Sequence, residues 1–181
     1  MNYLNTHIPG LWIVEPTVFN DSRGYFFEAY KKDQFEEQIA PVNFIQENES
    51  CSVKGVLRGL HFQLNPYSQA KLVRVIKGKV LDVAVDLRSQ SSTFGQHIAV
   101  ELSETNKRQL FIPRGFAHGF HVLSDEAIFT YKVDNLYHPA SERTLRFDDS
   151  ALGINWMIPQ GVVPIMSDKD RNAPLFAEFN F

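Results

Sequence analysis

Cysteine is almost absent: Cys51 is the only one in the 181 residues, so no intrachain disulfide can form. A lone thiol suits a reducing compartment, and a cytoplasmic protein is expected. No stretch approaches the roughly 18 apolar residues that a membrane-spanning helix needs. The first residues, MNYLNTHIPGLW, lack the basic-then-apolar order of a secretory signal. Positive charge is not in excess, with 18 Lys and Arg against 21 Asp and Glu and no basic run. Long nucleic acid needs a clustered positive surface, so neither a nucleic-acid nor a membrane partner is expected. A P-loop, Gly-x-Gly-x-x-Gly, Gly-x-Ser-x-Gly and His-x-His are all missing. The common signatures of nucleotide hydrolysis, dinucleotide binding and serine hydrolysis are therefore absent.

What the chain has in quantity is aromatic side chains: 15 Phe, 6 Tyr and 2 Trp. Aromatics favour strands and also line pockets that hold planar ligands. Short segments rich in Val, Ile, Leu and Phe read as strands over 56–63, 71–76, 79–87, 97–102, 108–113, 116–123 and 127–133. Turn residues separate them, among them Asn65-Pro66, Lys77-Gly78, Gly115 and Ser124-Asp125. Many short strands with little helix between them predict an all-β, antiparallel sandwich or barrel with a few short helices. One helix is predicted over 32–39 and another after Asp148-Asp149-Ser150. Without linker or repeat, residues 1–181 are read as a single domain.

The Lys77-Gly78 pair predicts a tight hairpin, in which Val75 faces Val80 and Val73 faces Asp82. Lys71, Val73, Val80 and Asp82 would then share one sheet face, with Lys71 diagonal to Asp82. Such a mixed face suits the lining of a barrel-mouth site, or Lys71 and Asp82 are simply a solvated pair. Leu81, Val83, Val85 and Leu87 form the opposite, wholly apolar face, which must pack against another sheet or another subunit.

Several residues could carry chemistry. His61 sits mid-strand between Leu60 and Phe62, where a histidine is either a hydrogen-bonded core residue or a base. His118 and His121 invite a metal reading. They lie an odd number of positions apart, however, and cannot both face inward on a regular strand. Tyr131 lies between Phe129 and Val133 on one face, as a core tyrosine would. Arg23 and Arg58 could grip phosphate through the two-pronged guanidinium, although surface arginines are usually just solvated.

The linked segments EPTVFNDSRGYFFEAY, FIQENES, GVLRGLHFQ, KLVRVIKGKVLDVAVDLR, NKRQLFIPRGFAHGF, YKVDNLYHPASE and MSDKDRNAP resemble the dTDP-4-dehydrorhamnose 3,5-epimerases. The resemblance runs in order from about Ile8 to Pro174. It implies a cupin-type jelly-roll barrel acting as a homodimer, with no metal and no organic cofactor. It implies His61 as general base, Asp170 as its orienting carboxylate, Lys71 as the cation beside the enolate and Tyr131 as proton donor. Arg23, Phe26, Glu28, Gln46, Asn48, Arg58, Asp82, His118, Glu142 and Lys169 fall on positions that hold the nucleotide sugar, and Tyr137 on the one that stacks on thymine. The segment around Arg23–Glu28 is expected to reach the partner's site. Gln46-Glu47-Asn48 departs from the usual Gln-Asp-Asn. Of the metal signatures of metal-dependent cupins, PRGFAH keeps only part, with Val122 where an Asn would follow.

The implied reaction is epimerisation of dTDP-4-dehydro-6-deoxy-D-glucose at C3 and C5. A 4-keto group acidifies the hydrogens on both neighbouring carbons. Inversion then needs a base on one face, an acid on the other and positive charge by the ketone oxygen. The rival readings are an enzyme inverting one centre only, a keto-isomerase of another deoxysugar nucleotide, a non-catalytic sugar-nucleotide-binding cupin, and a metal-dependent oxygenase.

Overall fold

The structure is a computed structural model that describes residues 1–180. In chain order its strands are β1 (Asn2–Asn5), β2 (Trp12–Glu15), β3 (Phe19–Asp21), β4 (Gly24–Phe26), β5 (Gln46–Val53), β6 (Leu57–Gln63), β7 (Lys71–Lys77), β8 (Lys79–Asp86), β9 (His97–Ser103), β10 (Gln109–Ile112), β11 (Phe116–Val122), β12 (Glu126–Val133) and β13 (Glu142–Thr144). Among the described residues, α-helix is confined to α1 (Lys32–Gln38) and α2 (Asp168–Arg171). One sheet runs β1-β2-β10-β7-β12-β5, a second runs β13-β6-β11-β8-β9, and β3-β4 forms a separate arm. This is the mainly-β jelly-roll barrel that the sequence led us to expect. The strands predicted from apolar content all form. The helix predicted at 32–39 forms as α1, with Phe35 buried against Phe111.

Three expectations fail, each for a physical reason. After Asp148-Asp149-Ser150 there is a turn and no helix. The Asp149 carboxylate accepts from Ala151 N at 2.9 Å and Phe176 N at 2.7 Å, tying that segment to a distant loop, and Gly153 at φ +59° ends the turn.

Lys77-Gly78 is not a hairpin within one sheet: β7 pairs with β10 and β12, whereas β8 pairs with β9 and β11. Gly78, at φ +79°, carries the chain from one sheet to the other, and a Cβ there would lie 2.0 Å from Glu126 O. Every β8 residue after Lys79 is buried, although one face carries Asp82 and Asp86, so the strand belongs inside layers and not in a ribbon with a wet side. Val73, Val75, Val80 and Ala84 meet between the two sheets. Lys71 and Asp82 thus face each other across the barrel and are not diagonal neighbours.

The apolar face of Leu81, Val83, Val85 and Leu87 is not a subunit surface. It is covered by Leu145, Leu152 and Trp156 of the same chain, with Ile154, Ile158 and Phe176 packed against them.

Polar β5 was not predicted as a strand. It pairs along its whole length with β12, and Gln46, Asn48, Ser50 and Ser52 stand opposite Val133, Tyr131, Phe129 and Ala127. Its inward positions line a wet cleft, so the usual apolar alternation is missing.

Candidate active site

β6 and β11 approach unusually closely, and glycine makes this possible. A Cβ on Gly119 would lie 2.6 Å from Arg58 O, and one on Gly59 would lie 2.5 Å from Gly119 Cα. The pairing shifts register between His118 and Phe120, leaving His61 and His118 directly opposite each other. His61 Nε2–H donates to Asp170 Oδ1 at 2.6 Å, a contact between residues 109 positions apart. Asp170 lies in the first turn of α2, where its N–H donates to the capping Ser167 Oγ at 3.1 Å. Its second oxygen accepts from Gly59 N at 3.4 Å. Burial works to raise the Asp170 carboxyl, but these bonds and the His61 ring hold it below the ordinary carboxylate range. An ionised Asp170 keeps the ring proton on Nε2, which leaves the Nδ1 lone pair free.

A cleft of about 320 Å³ opens beside His61, lined also by Gln46, Asn48, Gln63, Gln69, Lys71, Tyr131, Tyr137 and Glu142. A deeper lobe of about 240 Å³ shares His61, Lys71 and Tyr131 and adds Ser50, Arg58, His118, Phe120 and Phe129. His61 belongs to the five-stranded sheet, whereas Lys71 and Tyr131 belong to the six-stranded one. A ligand between the sheets therefore meets the imidazole and the phenol from opposite sides.

Electrostatics differ around the cleft. Burial lowers the Lys71 ammonium to about 8, with the Asp82 and Glu142 carboxylates opposing the fall. Asp82 is fully buried and receives His118 Nε2–H at 2.9 Å. Burial also holds His118 below the ordinary histidine range, so the ring stays neutral. Burial raises the Tyr131 phenol, so it keeps its proton. Asn48, which hydrogen-bonds that phenol, accepts from Gln46 Nε2 at 2.7 Å. At the rim Glu142 accepts from Tyr137 at 2.8 Å and pairs with Lys169 at 2.5 Å.

The structure gathers His61, Asp170, Lys71, Tyr131, Gln46, Asn48, Arg58, Tyr137, Glu142 and Lys169 at one cleft, with Asp82 and His118 against its inner wall. Arg23, Phe26 and Glu28 line neither lobe. Arg23 and Phe26 stand on the β3-β4 arm, where Arg23 pairs with Asp21 and Phe26 is 66 % exposed. His118 and His121 do not both face inward, as predicted: His121 turns away, with its Nδ1–H donating to Trp156 O at 2.8 Å. Among the described residues no three His, Cys, Asp or Glu side chains are grouped to hold a metal ion. Gln63 and Gln69 were missed. Gln63 lies two positions from His61 on β6, so strand alternation could have found it, whereas Gln69 precedes β7 in a loop and gave no such signal.

A jelly roll whose facing sheets offer a carboxylate-oriented imidazole, an ammonium and a protonated phenol to one cleft is an acid–base enzyme of the cupin type. Residues 5–178 match the family described as dTDP-4-dehydrorhamnose 3,5-epimerase. The chain is 53% identical to the enzyme of that name from Salmonella typhimurium, covering 97% of this chain and 95% of the relative. A crystal structure of the Elizabethkingia anophelis dTDP-4-dehydrorhamnose 3,5-epimerase superposes with TM-score 0.94 at 50% identity, covering 100% of this chain and 99% of that one. The Legionella pneumophila dTDP-6-deoxy-D-glucose-3,5-epimerase, solved with dTDP-4-keto-L-rhamnose, gives TM-score 0.94 at 47% identity, covering 99% and 94%. The chain belongs to the dTDP-4-dehydrorhamnose 3,5-epimerase family.

Proposed function

We propose that the chain epimerises dTDP-4-dehydro-6-deoxy-D-glucose at C3 and C5 to dTDP-4-dehydro-L-rhamnose, by acid–base chemistry alone. The observation that carries this reading is the hydrogen bond of His61 to Asp170 on one wall of a cleft that Tyr131 and Lys71 line from the other. His61 Nδ1 takes the proton from a carbon next to the ketone, and Asp170 stabilises the imidazolium that forms. The C–H electron pair moves into the enolate, whose oxygen charge is met by the Lys71 ammonium. Tyr131 returns a proton to the opposite face, and exchange with solvent resets the pair for the second centre.

The nucleotide is held at the rim and inner wall by Gln46, Asn48, Arg58, His118, Glu142 and Lys169, with Tyr137 under the base and Asp82 behind. We propose further that the chain is a homodimer in which Arg23, Phe26 and Glu28 reach the partner's cleft, since they line none of their own. No helix among the described residues is long and apolar enough to cross a membrane. The single cysteine supports a cytoplasmic setting. Proton NMR of dTDP-4-keto-6-deoxyglucose in D2O with the protein tests the reaction. Deuterium should enter at both C3 and C5, and both centres should invert. Exchange at one carbon only would identify a single-centre epimerase, and no exchange would leave a binding protein.

A further inference from the structure

Beside the base lies a polar side chain with no partner. Thr144 on β13 stands directly opposite His61 on β6. Leu60 and Leu145 exchange both backbone bonds, at 3.2 and 2.8 Å, and so form a hydrogen-bonded pair. The adjoining pair, His61 and Thr144, is then of the closer kind, with Cα atoms about 4.5 Å apart and side chains on one face. That face is the cleft face, because Glu142, two positions earlier on β13, lines the cleft. Thr144 is 6 % exposed, and its hydroxyl is covered with no hydrogen-bond partner among the described residues. A buried hydroxyl left this way weakens the fold, and valine would fill the place without that cost.

We propose that Thr144 is a positioning residue for His61, whose free hydroxyl dipole stabilises the imidazolium formed when the base takes a proton. This rests on the reading of His61 as base. In the resting chain the neutral ring is satisfied by Asp170 on its Nε2 side. After proton transfer the ring is a cation in the cleft wall, with its side chain 32 % exposed when no substrate lies over it. A threonine oxygen bound to no other donor can turn its lone pairs toward that cation without breaking a bond. The dipole then favours the charged intermediate over the resting state, and such differential stabilisation raises kcat without tightening substrate binding.

The test compares wild type, Thr144→Val and Thr144→Ser in thermal melts and in the NMR assay with dTDP-4-keto-6-deoxyglucose. Thr144→Val should lower kcat about three- to ten-fold, because the hydroxyl acts on the ring charge through its dipole and not through a hydrogen bond. Its KM should stay within about two-fold, and its Tm should equal or exceed that of wild type. Thr144→Ser restores the hydroxyl and should keep most of kcat. Three results would each overturn the proposal: wild-type kcat in Thr144→Val, a serine variant as slow as the valine one, or a lowered Tm in Thr144→Val. The last would mean that the hydroxyl already holds a structural bond. A wild-type protein that neither exchanges nor inverts the sugar would overturn the epimerase reading instead.

Discussion

His118 and Asp82 meet inside the barrel with the imidazole Nε2 2.9 Å from the carboxylate, and that carboxylate is also the foremost anion acting on Lys71. The Asp82 carboxylate raises the Lys71 ammonium against the burial that lowers it. Lys71 loses its proton as pH rises through about 8, so kcat/KM should decline on the alkaline side from near that pH. Asp82→Asn removes a charge that raises Lys71, so the alkaline limb should move to lower pH. An Asp82→Asn profile with its alkaline limb unmoved would refute the coupling.

His61 and Asp170 should act as one unit. His61→Ala should abolish nearly all exchange, because the imidazole oriented by Asp170 is the base in this reading. Asp170→Asn should cost roughly 10²- to 10⁴-fold in kcat by disturbing the ring tautomer and removing the charge that stabilises the imidazolium. More than about a tenth of wild-type kcat in folded His61→Ala would rule out a general base at that position.

Tyr131→Phe should separate exchange from inversion. The phenol's packing with Phe129 survives the change, so the fold should hold. His61 can still remove a proton and return it to the same face, which gives exchange without inversion. Inverted product should fall on the order of 10²-fold while deuterium still enters the sugar, both measured in one tube. Equal losses of both would make Tyr131 a substrate- or enolate-holding group.

The dimer has a different basis from the one that the sequence suggests, since the apolar face of β8 is covered by the chain's own C-terminal segment. The arm remains, with Phe19, Tyr25 and Phe26 exposed. Light scattering should report two copies at micromolar concentration, with an interface above about 1,200 Å². Arg23→Ala should raise KM with little change in kcat, because in this reading it grips the nucleotide and takes no part in the proton transfers. A monomer with full activity would refute the shared site.

Gly119→Ala should both destabilise the protein, by about 1–3 kcal/mol, and impair catalysis. The new methyl would press on Arg58 O at 2.6 Å and Gly59 Cα at 3.1 Å. β6 would have to move, and it carries both Arg58 and His61. A wild-type Tm and kcat in this variant would mean that the strand contact is not needed.

By itself the sequence determined strands β6 to β12, because Val, Ile, Leu and Phe runs between turn residues favour that backbone wherever they end up. Its ordered motifs also singled out the side chains that meet at the cleft, from His61 to Lys169. Polar β5 escaped notice because a strand lining a wet cleft lacks the apolar alternation that normally reveals one. What only the tertiary structure decided is what lies opposite each face. Period two states that one face of β8 is apolar and the other carries Asp82 and Asp86, yet not that the second meets β7 across the barrel and the first meets Trp156. Gly78 could turn a hairpin or carry the chain between sheets, and long-range pairing with β11 and β12 made the choice. The bond from His61 to Asp170 spans 109 residues, and the unpartnered hydroxyl of Thr144 beside it follows from strand register. Both depend on contacts between segments distant in sequence, which local pattern does not encode.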